Sequence, residues 1–416
     1  MTATFQIPLD IPDVHLLSSR SGERGELILE VESSLNSTTC RRCGCEITEF
    51  HGYDQPIRLR HLPVFGRDVW IEIRPKRYRC PHCDDHPTTT QRLSWHEPRS
   101  PHTKAFDAWL TSMLGNSTVS DVSRRCHVGH DAVEGAVNRC IRATVEWTDY
   151  TQLRTLGIDE IALKKGHKDF VAIITTLDKN DQVCVLTILP NRLKETVVTF
   201  LNSIPAHLKA TVKRVCCDMH DGYSNAVKET LPNAHIVVDR FHVAQYYNKA
   251  VDNLRKETLA TLKKNLPEDT YQQYCQGTLW LFRHHFWSLA PEQQAQVSHF
   301  LGYAPELKQA WLLRHELTTT FMKHQTKAEA NQQLDAWKQK VLESGLSCFD
   351  KFLTLLETWQ DSITNYFEDR HTSGFVEGLN NKLKVIKRRC YGLLDVKRFF
   401  QQIQIDLRFA RGQSFA

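Results

Sequence analysis

The chain has 416 residues, of which 41% are hydrophobic and 24% charged, an ordinary composition for a globular protein of two or three domains. Its formal net charge of +5 permits a polyanionic partner but does not require one. No apolar run reaches the roughly 18 residues of a membrane span, and the N-terminus lacks a signal-peptide pattern. We therefore expect a cytoplasmic protein with no membrane partner.

Residues 1–98 are expected to form short strands and a zinc ribbon. Residues 26–33 alternate like a strand, and two CxxC motifs follow. In a reducing compartment such cysteines favour a metal over disulfides, and four thiolates are the tetrahedral set that structural Zn²⁺ takes. The predicted zinc ligands are Cys40, Cys43, Cys80 and Cys83, with Cys45 and His86 as the nearest alternatives.

The segment between the two CxxC motifs alternates apolar and basic residues around a turn at residues 65–68. This pattern predicts a β-hairpin that returns the second motif to the first. Its outward positions form a predicted basic face of Arg58, Arg60, Arg74, Lys76, Arg77 and Arg79. Such a face is either solvated surface or a contact for DNA phosphates, and Arg77 and Arg79 are the candidates for DNA contact.

Residues 99–150 change to a helical period and are expected to form a DNA-binding domain. Amphipathic patterns at 105–116, 119–126 and 130–145 predict three helices. Residues 117–120 offer a cap for the second helix, and a short turn with glycine at residues 127–129 precedes the third. This spacing is typical of a helix-turn-helix, although an ordinary helical hairpin has the same pattern.

Residues 151–241 predict three strands in a meander and then alternating helices and strands, which is the order of ribonuclease H. Asp159 lies within the first strand and Asp218 at the end of the fourth. Because side chains alternate along a strand, Asp159 and Glu160 face opposite sides, and only one can be a ligand. Two acids that converge favour metal binding over a salt-bridged core aspartate.

Residues 242–370 are expected to be an all-helical insertion, with helices at 243–266, 268–289, 327–345 and 350–370. Five tryptophans fall in this block: Trp280, Trp287, Trp311, Trp337 and Trp359. Most are expected in the core, and one or two are open to stacking on an unpaired base.

The last segment, residues 371–416, is expected to complete the catalytic domain. Glu377 precedes a helix whose apolar residues Leu379, Leu383 and Ile386 recur at helical spacing. The outward cations of this helix, which are candidate DNA contacts, are Lys384, Lys387, Arg388 and Arg389. Alone, the segment also fits a solvated basic helix with one acid. With Asp159 and Asp218, Glu377 completes three carboxylates, the ligands that Mg²⁺ or Mn²⁺ prefers.

Several segments together resemble the ISL-three family of bacterial insertion-sequence transposases: CRRC, RYRCPHC, LGIDEIAL, CCDMHDGYSNAV, VVDRFHV and SGFVEGLNNKLKVIKRRCYG. The resemblance covers nearly the whole chain in the family's order. It implies a DDE transposase whose ribonuclease H-like catalytic domain is interrupted by a helical insertion. It places the catalytic acids at Asp159, Asp218 and Glu377. In related interrupted transposases an acid-x-x-His motif follows the second aspartate, and here it falls on Asp239 and His242 as accessory residues. The histidine is either a satisfied core residue or a contact to phosphate or to the metal shell.

The sequence therefore predicts a transposase that binds the terminal inverted repeats of its element, cuts there and joins the ends to target DNA. Its partners would be double-stranded DNA and further copies of the chain, in a homodimer or larger homo-oligomer associated with the bacterial nucleoid. Two other hypotheses remain open: a DNA-binding regulator derived from a transposase, and a stand-alone metal-dependent nuclease. The complete acid triad argues against the first, and the N-terminal DNA-binding modules argue against the second.

Overall fold

The computed structural model describes residues 8–164, 168–284, 286–369, 374–391 and 393–413. The chain divides into two compact units, one of Met1–Ala143 with Ile386–Ala416 and the other of Thr144–Val385. The first unit thus takes in C-terminal residues for which the sequence predicts a place in the catalytic domain. No helix in the described ranges is long and apolar enough to cross a membrane.

The first unit begins with strands in three small sheets. The strands are β1 (Val14–Ser21), β2 (Leu27–Ser33), β3 (Thr38–Thr39), β4 (Glu46–Ile47), β5 (Glu49–Tyr53), β6 (Ile57–Val64), β7 (Arg67–Ile73), β8 (Lys76–Arg79) and β9 (Thr88–Thr90). They pair in the orders β1-β2-β7-β6, β3-β4 and β5-β8-β9. The strand predicted at residues 26–33 is confirmed as β2.

β6 and β7 form the predicted hairpin. They pair antiparallel, with Val64 opposite Arg67. The two residues between them, Phe65 and Gly66, have φ values of 50° and 74°. Positive φ at both positions is the backbone of the two-residue turn whose twist matches that of paired strands.

Three helices follow: α1 (Lys104–Met113), α2 (Val119–Cys126) and α3 (His130–Cys140). The predicted cap is confirmed, because the Thr118 hydroxyl accepts a hydrogen bond from the Asp121 backbone N–H at 3.1 Å. The C-cap of α2 is His127, whose φ of 52° lies in the left-handed region, and the turn of residues 127–129 leads into α3. The helical pattern therefore folds as two short helices joined by a tight turn.

One residue of the predicted basic face, Arg60, does not face outward. Its side chain is buried and ion-paired with Asp68. Its guanidinium lies over the rings of Trp70 and Phe106, at 5.3 and 5.5 Å from the ring centroids. The outward prediction for Arg60 is wrong because α1 packs against β6 and covers this position.

The second unit is built on one five-stranded sheet. Its strands are β10 (Thr155–Lys164), β11 (Lys168–Leu177), β12 (Val183–Leu189), β13 (Arg214–Cys217) and β14 (His235–Val238). Their order is β12-β11-β10-β13-β14, with β10, β11 and β12 antiparallel and β10, β13 and β14 parallel. The connecting helices are α4 (Lys194–Ser203), α5 (Ala206–Lys209) and α6 (Asp221–Thr230). The predicted succession of strands and helices is confirmed.

Helices make up the described part of the chain after β14. They are α7 (Arg240–Asn265), α8 (Glu268–Tyr274), α9 (Thr278–Arg283), α10 (Pro291–Gly302), α11 (Pro305–Met322), α12 (Lys327–Ser344), α13 (Asp350–Thr364), α14 (Tyr366–Asp369) and α15 (Gly374–Arg389). The single helix predicted over 268–289 is wrong. Gly277, with a φ of 75°, separates α8 from α9, since glycine takes up this backbone at little cost.

The helical block packs on an apolar core that it shares with Cys216, Val237 and Val238 of the sheet. Trp311, Trp337 and Trp359 are buried in that core, as expected of most tryptophans there. Asn365, just after α13, donates its side-chain amide to the carbonyl of Ile236 in β14 at 2.8 Å. Trp280 is 55% exposed, which leaves its face accessible.

The last helix, α16 (Val396–Ala410), packs in the first unit against the helices α1 to α3. The Gln401 side chain donates to the carbonyl of Ile141 at 2.9 Å. Ile141 is extended, so α3 ends at Cys140 and not near residue 145 as predicted. The carbonyl of Ile141, which a longer α3 would have contained, therefore accepts its hydrogen bond from a side chain distant in sequence.

Candidate active site and metal centres

Three aspartates stand at the same level on the three parallel strands of the sheet. In the strand register, Ile158 of β10 lies opposite Cys217 of β13, and Cys217 lies opposite Val238 of β14. The next residue on each chain segment is an aspartate: Asp159, Asp218 and Asp239. Because parallel strands end at the same edge, the sheet itself brings these distant acids together.

The Asp159 carboxyl is half-buried, and its surroundings disfavour its ionised form. Burial raises its pKa to about 6, and the negative charge of Asp218 acts in the same direction. The backbone N–H of Glu160 donates to the Asp159 carboxylate at 2.6 Å. Two carboxylates that repel each other at a strand end are a combination that a divalent cation relieves.

Glu160 occupies the other face of β10, as strand alternation predicts. Its carboxylate is ion-paired with Arg192 at 3.1 Å. The Arg192 guanidinium also lies 4.8 Å from the centroid of the Phe170 ring. Glu160 is thus held in a surface ion pair, away from the position that Asp159 shares with Asp218.

His242 of α7 contacts Asp218 directly. The two side chains are joined by a 2.8 Å contact between Nε2 of the histidine and Oδ1 of the aspartate. This hydrogen bond raises the pKa of His242, and the charges of the neighbouring aspartates add to it. Asp239 is buried and caps α7 by accepting from the Phe241 backbone N–H at 2.9 Å. The Asp239 cap therefore sets the start of the helix that carries His242.

Asn380 is a site residue that the sequence reasoning missed. Its side-chain amide donates to the Asp159 carboxylate, and its own amide oxygen is buried with no hydrogen-bond partner among the described residues. Asn380 lies three residues after Glu377 on α15, within the segment GLNNKLK. The Glu377 side chain itself lies outside the described residues. Asn380 shows that this part of α15 reaches Asp159.

The described residues fit a divalent cation. The carboxylate oxygens of Asp159 and Asp218 and the unpartnered amide oxygen of Asn380 are hard oxygen donors of the kind that Mg²⁺ and Mn²⁺ prefer. A bound cation would also remove the charge repulsion that raises the Asp159 pKa.

The four predicted cysteines form a second candidate metal centre. The sulfurs of Cys40, Cys43, Cys80 and Cys83 all lie within 4.8 Å of one another. Cys80 Sγ is 3.6 Å from Cys43 Sγ and 3.7 Å from Cys83 Sγ. Zinc–sulfur bonds of about 2.3 Å place tetrahedral sulfurs about 3.8 Å apart, so the cluster fits Zn²⁺ closely.

The two alternative zinc ligands lie outside this cluster. Cys45 is exposed, and its thiol lies 4.0 Å from the carbonyl of Cys43. His86 uses Nδ1 in a 3.0 Å hydrogen bond with the carbonyl of Cys80. Backbone N–H groups of Cys43 and Arg42 lower the pKa of Cys40 to about 6, which favours the thiolate that zinc requires.

Comparison with known families assigns the chain. Residues 156–403, more than half of the chain, match the ISL3 family model of the transposase DDE domain. The chain belongs to the ISL3 transposase family. Residues 91–141 match the helix-turn-helix domain of transposase family ISL3, and residues 36–83 match the zinc-finger of the transposases of IS204, IS1001, IS1096 and IS1165. A mixed α/β chain with a cysteine cluster, a helix-turn-helix and a DDE domain is thereby confirmed.

Similar proteins agree with this assignment. The chain is 28% identical over 366 residues to the transposase for insertion sequence element IS1001 of Bordetella parapertussis, covering 88% of this chain and 87% of the relative. It is 24% identical over 408 residues to the transposase for insertion sequence element IS1557 of Mycobacterium tuberculosis, covering 92% and 88%. As an ISL3 transposase the chain is an enzyme that binds DNA, and the zinc-finger match agrees with structural zinc at the four cysteines.

The cations for which the sequence predicts DNA contact differ in their surroundings. Lys384 and Arg388 are exposed on α15, opposite the buried Leu383. Lys387 is half-buried on the same helix. Arg389 is ion-paired with the buried Asp406, so this guanidinium is engaged within the first unit.

On β8 the two predicted DNA contacts are half-buried. Arg77 donates to the Thr88 hydroxyl at 2.5 Å, and Arg79 lies 3.8 Å from Glu49. Both arginines therefore have partners within the sheet β5-β8-β9. Any contact that they make with DNA would have to compete with these interactions.

Proposed function

We propose that this ISL3 transposase binds the terminal inverted repeats of its own bacterial element, cleaves the DNA there and joins the freed ends to a target. One observation carries the proposal. Asp159 and Asp218 stand side by side at the ends of parallel strands, and Asn380 of the helix that carries Glu377 contacts Asp159. Residues three apart on a helix share a face, which supports Glu377 as the third acid of the same site.

The catalytic domain is, in this proposal, a ribonuclease H-like fold interrupted by a helical insertion. The sheet order β12-β11-β10-β13-β14 supports it, with three antiparallel strands followed by two parallel ones. The helices α7 to α14 lie between the last strand and α15, and their apolar core also includes Cys216, Val237 and Val238 of the sheet. This arrangement lets the strands and α15 supply the acids while the inserted helices remain available for DNA.

Asp159, Asp218 and Glu377 would hold Mg²⁺ or Mn²⁺. When bound, such cations would supply activation of an attacking oxygen and stabilisation of the leaving oxygen. The chain's own part is to fix the carboxylates: the strands set Asp159 and Asp218, and Asn380 orients Asp159 by hydrogen bonding. The attacking group is water in cleavage and a DNA 3′-hydroxyl in strand joining.

His242 and Asp239 take accessory roles in this proposal. The histidine contacts one carboxylate oxygen of Asp218. The direction of the other oxygen is set by the end of the strand. Asp239 caps α7 and so keeps His242 in place. The acid-x-x-His motif therefore positions Asp218.

DNA is held, in this proposal, by the helix-turn-helix, the zinc ribbon and the basic residues of α15. Lys384, Lys387 and Arg388 are the first candidates for phosphate contact, and Arg389, Arg77 and Arg79 are further candidates. Bringing two element ends together requires a homodimer or larger homo-oligomer. The exposure of Lys384 and Arg388 supports their role.

The test uses a labelled terminal-repeat duplex with Mg²⁺ and the full-length chain. We expect the wild type to nick the repeat and to produce strand-transfer products with target DNA. Asp159→Asn and Glu377→Ala should abolish both reactions and keep DNA binding. Glu357→Ala, an exposed acid on α13, is the matched control and should cleave normally.

The alternatives predict different products. A wild type that shifts the repeat but never nicks it would support the regulator and sink the transposase proposal. Equal cleavage of repeat and random DNA would support the stand-alone nuclease. Undiminished cleavage by Glu377→Ala would remove that residue from the site and leave the aspartates to be tested further.

A further inference from the structure

The helical block contains a cavity of about 250 Å³ whose walls are basic. Its lining residues are Arg240, Ala244, Tyr247 and Asn248 of α7, Arg283 and His284 at the end of α9, and Arg314, His315, Thr318, Phe321 and Met322 of α11. No acidic residue is among these described lining residues. We call this cavity the arginine pocket.

Arg314 lines the arginine pocket and is a buried cation. Its side chain is 7% exposed, and it donates to the carbonyl of Phe282 at 2.6 Å and contacts His315 Nε2 at 3.2 Å. No carboxylate of the described residues lies within 4 Å of it. Burial lowers its pKa to about 10, yet it stays charged at neutral pH. A buried positive charge with neutral partners is costly unless an anion joins it.

The other cations of the pocket lie nearer the surface. Arg240 and Arg283 are exposed, which leaves an entrance for a charged group. His284 uses Nδ1 in a 2.9 Å hydrogen bond with the carbonyl of Trp280. Guanidinium groups in such numbers are suited to phosphate oxygens, which they bind in a forked geometry.

An aromatic surface adjoins the pocket. The Trp280 ring packs on His284 with a centroid separation of 4.0 Å, and its indole is 55% exposed. Trp287, nearby in sequence, is 85% exposed. Exposed aromatic faces beside cations are typical of sites that bind single-stranded nucleic acid, where bases stack and phosphates pair.

The position of α7 connects this pocket with the candidate active site. His242, in the first turn of α7, contacts Asp218, and Arg240 is only two residues before it. One helical turn rises about 5.4 Å, so Arg240 and His242 lie within one turn of each other along the axis of α7. The cavity is too small to enclose a duplex, so the DNA ligand that we consider for it is an unpaired strand.

We propose that the arginine pocket binds a phosphate of an unpaired DNA nucleotide at the cut end, with the base stacked on Trp280. The ligand class is a DNA phosphate on a single strand, and this inference rests on the proposed DNA cleavage. In this proposal the helical block holds the DNA strand next to the scissile bond. This role is separate from the chemistry of the acid site.

The test measures the affinity of the full-length chain for labelled terminal-repeat DNA with a blunt end or with a short unpaired 5′-phosphorylated overhang. We expect the wild type to prefer the overhang about tenfold or more, the size of charge-assisted hydrogen bonds to phosphate. Arg314→Gln and Arg283→Gln should lose that preference, and Trp280→Ala should reduce it. Lys308→Gln, an exposed cation of α11 outside the pocket, should keep it.

Several controls separate the possible failures. Arg283 is exposed, so Arg283→Gln remains informative if Arg314→Gln does not fold, and Arg314→Lys tests whether charge alone suffices. A preference that survives in both glutamine variants overturns the pocket, whereas failure of the wild type to nick any repeat overturns the proposed function. If inorganic phosphate stabilises the wild type against heat and the overhang gives no added affinity, the pocket takes a small anion and the DNA assignment is overturned.

Discussion

Asp159 is the residue on which strand geometry and electrostatics act together. Its place on β10 puts it beside Asp218, and burial raises its pKa to about 6. An acid in this state is poorly suited to a purely structural role, because its ionised form is opposed by a like charge. The same repulsion becomes favourable once a cation binds, which is why the pair supports metal chemistry.

Asn380 should matter for metal binding because it orients Asp159. We expect Asn380→Ala to raise the Mg²⁺ concentration needed for half-maximal DNA nicking by about 10- to 100-fold, the usual effect of losing a group that orients a ligand. The measurement is nicking rate against Mg²⁺ concentration.

Asn381→Ala is the matched control for this substitution. Asn381 is the next residue on α15 and is exposed, so its loss should leave the Mg²⁺ dependence unchanged. Equal behaviour of the two alanine variants would show that the hydrogen bond to Asp159 has no effect on metal binding.

Elements of the first unit are held by two different kinds of connection. The cysteine cluster connects short strands that bury little apolar surface, with Cys40, Ile47, Tyr78 and Cys80 as their small core. The helices α1 to α3 instead pack on an apolar core that includes Ile405 of α16. We expect the cysteine cluster to be stabilised by bound metal and the helices by apolar burial. Metal removal should therefore unfold the first and leave the second folded.

Loss of zinc should therefore unfold the ribbon selectively. We expect Cys80→Ser to lose the bound zinc, with lost hydrogen-exchange protection in β5 and β8 and retained protection in α1 to α3. Zinc content and exchange protection are the measurements.

Cys45→Ser is the control for the zinc prediction, because Cys45 is exposed and outside the cluster. It should keep its full zinc content. Zinc loss in Cys45→Ser together with zinc retention in Cys80→Ser would replace the proposed ligand set.

The connection of α16 to the preceding helices includes a buried charge. Asp406 is 1% exposed and accepts from the Asn116 backbone N–H at 2.8 Å, while Arg389 pairs with it. We expect Asp406→Ala to destabilise the packing of α16 by about 3–5 kcal/mol, since it removes the carboxylate that balances the Arg389 charge. The check is amide hydrogen exchange in α1 to α3, which should accelerate.

Asp395→Asn tests whether this loss is specific. Asp395 caps α16 by accepting from the Arg398 backbone N–H, and asparagine caps a helix about as well as aspartate. The exchange rates should stay near those of the wild type. If Asp395→Asn lost as much exchange protection as Asp406→Ala, the packing of α16 would depend on each of its acidic charges, whether exposed or buried.

At the scale of the whole molecule, DNA affinity should depend on salt through a small number of basic residues. The net charge of +5 is modest, so local clusters and not the total must supply the phosphate contacts. Lys384→Glu and Arg388→Glu should each weaken terminal-repeat binding and lower the salt slope by about one. The measurement is affinity over a series of salt concentrations.

Lys264→Glu on α7 is the comparison for the salt series. Lys264 is exposed and distant in sequence from α15, so reversing its charge tests the effect of net charge alone. If all three variants lose affinity equally, α15 makes no specific phosphate contact and its cations are ordinary surface.

Much of this protein was predictable because its signals are local. The spacing of the CxxC motifs predicted the four-cysteine cluster, the capping stretch and short turn predicted α2 and α3, and apolar periodicity predicted the inward face of α15. Strand alternation correctly separated Asp159 from Glu160. Each of these depends on residues a few positions apart, where backbone geometry alone fixes which side chains share a face.

Only the tertiary structure decided which distant groups meet. No local pattern marks Asn380 as the partner of Asp159, Arg60 as a buried residue, or Asp406 as the anion beside Arg389. The arginine pocket likewise exists only because α7, α9 and α11 pack together. The sequence alone determined the elements and the kinds of chemistry available. Packing decided the contacts, because a side chain's partner depends on the position of segments far away along the chain.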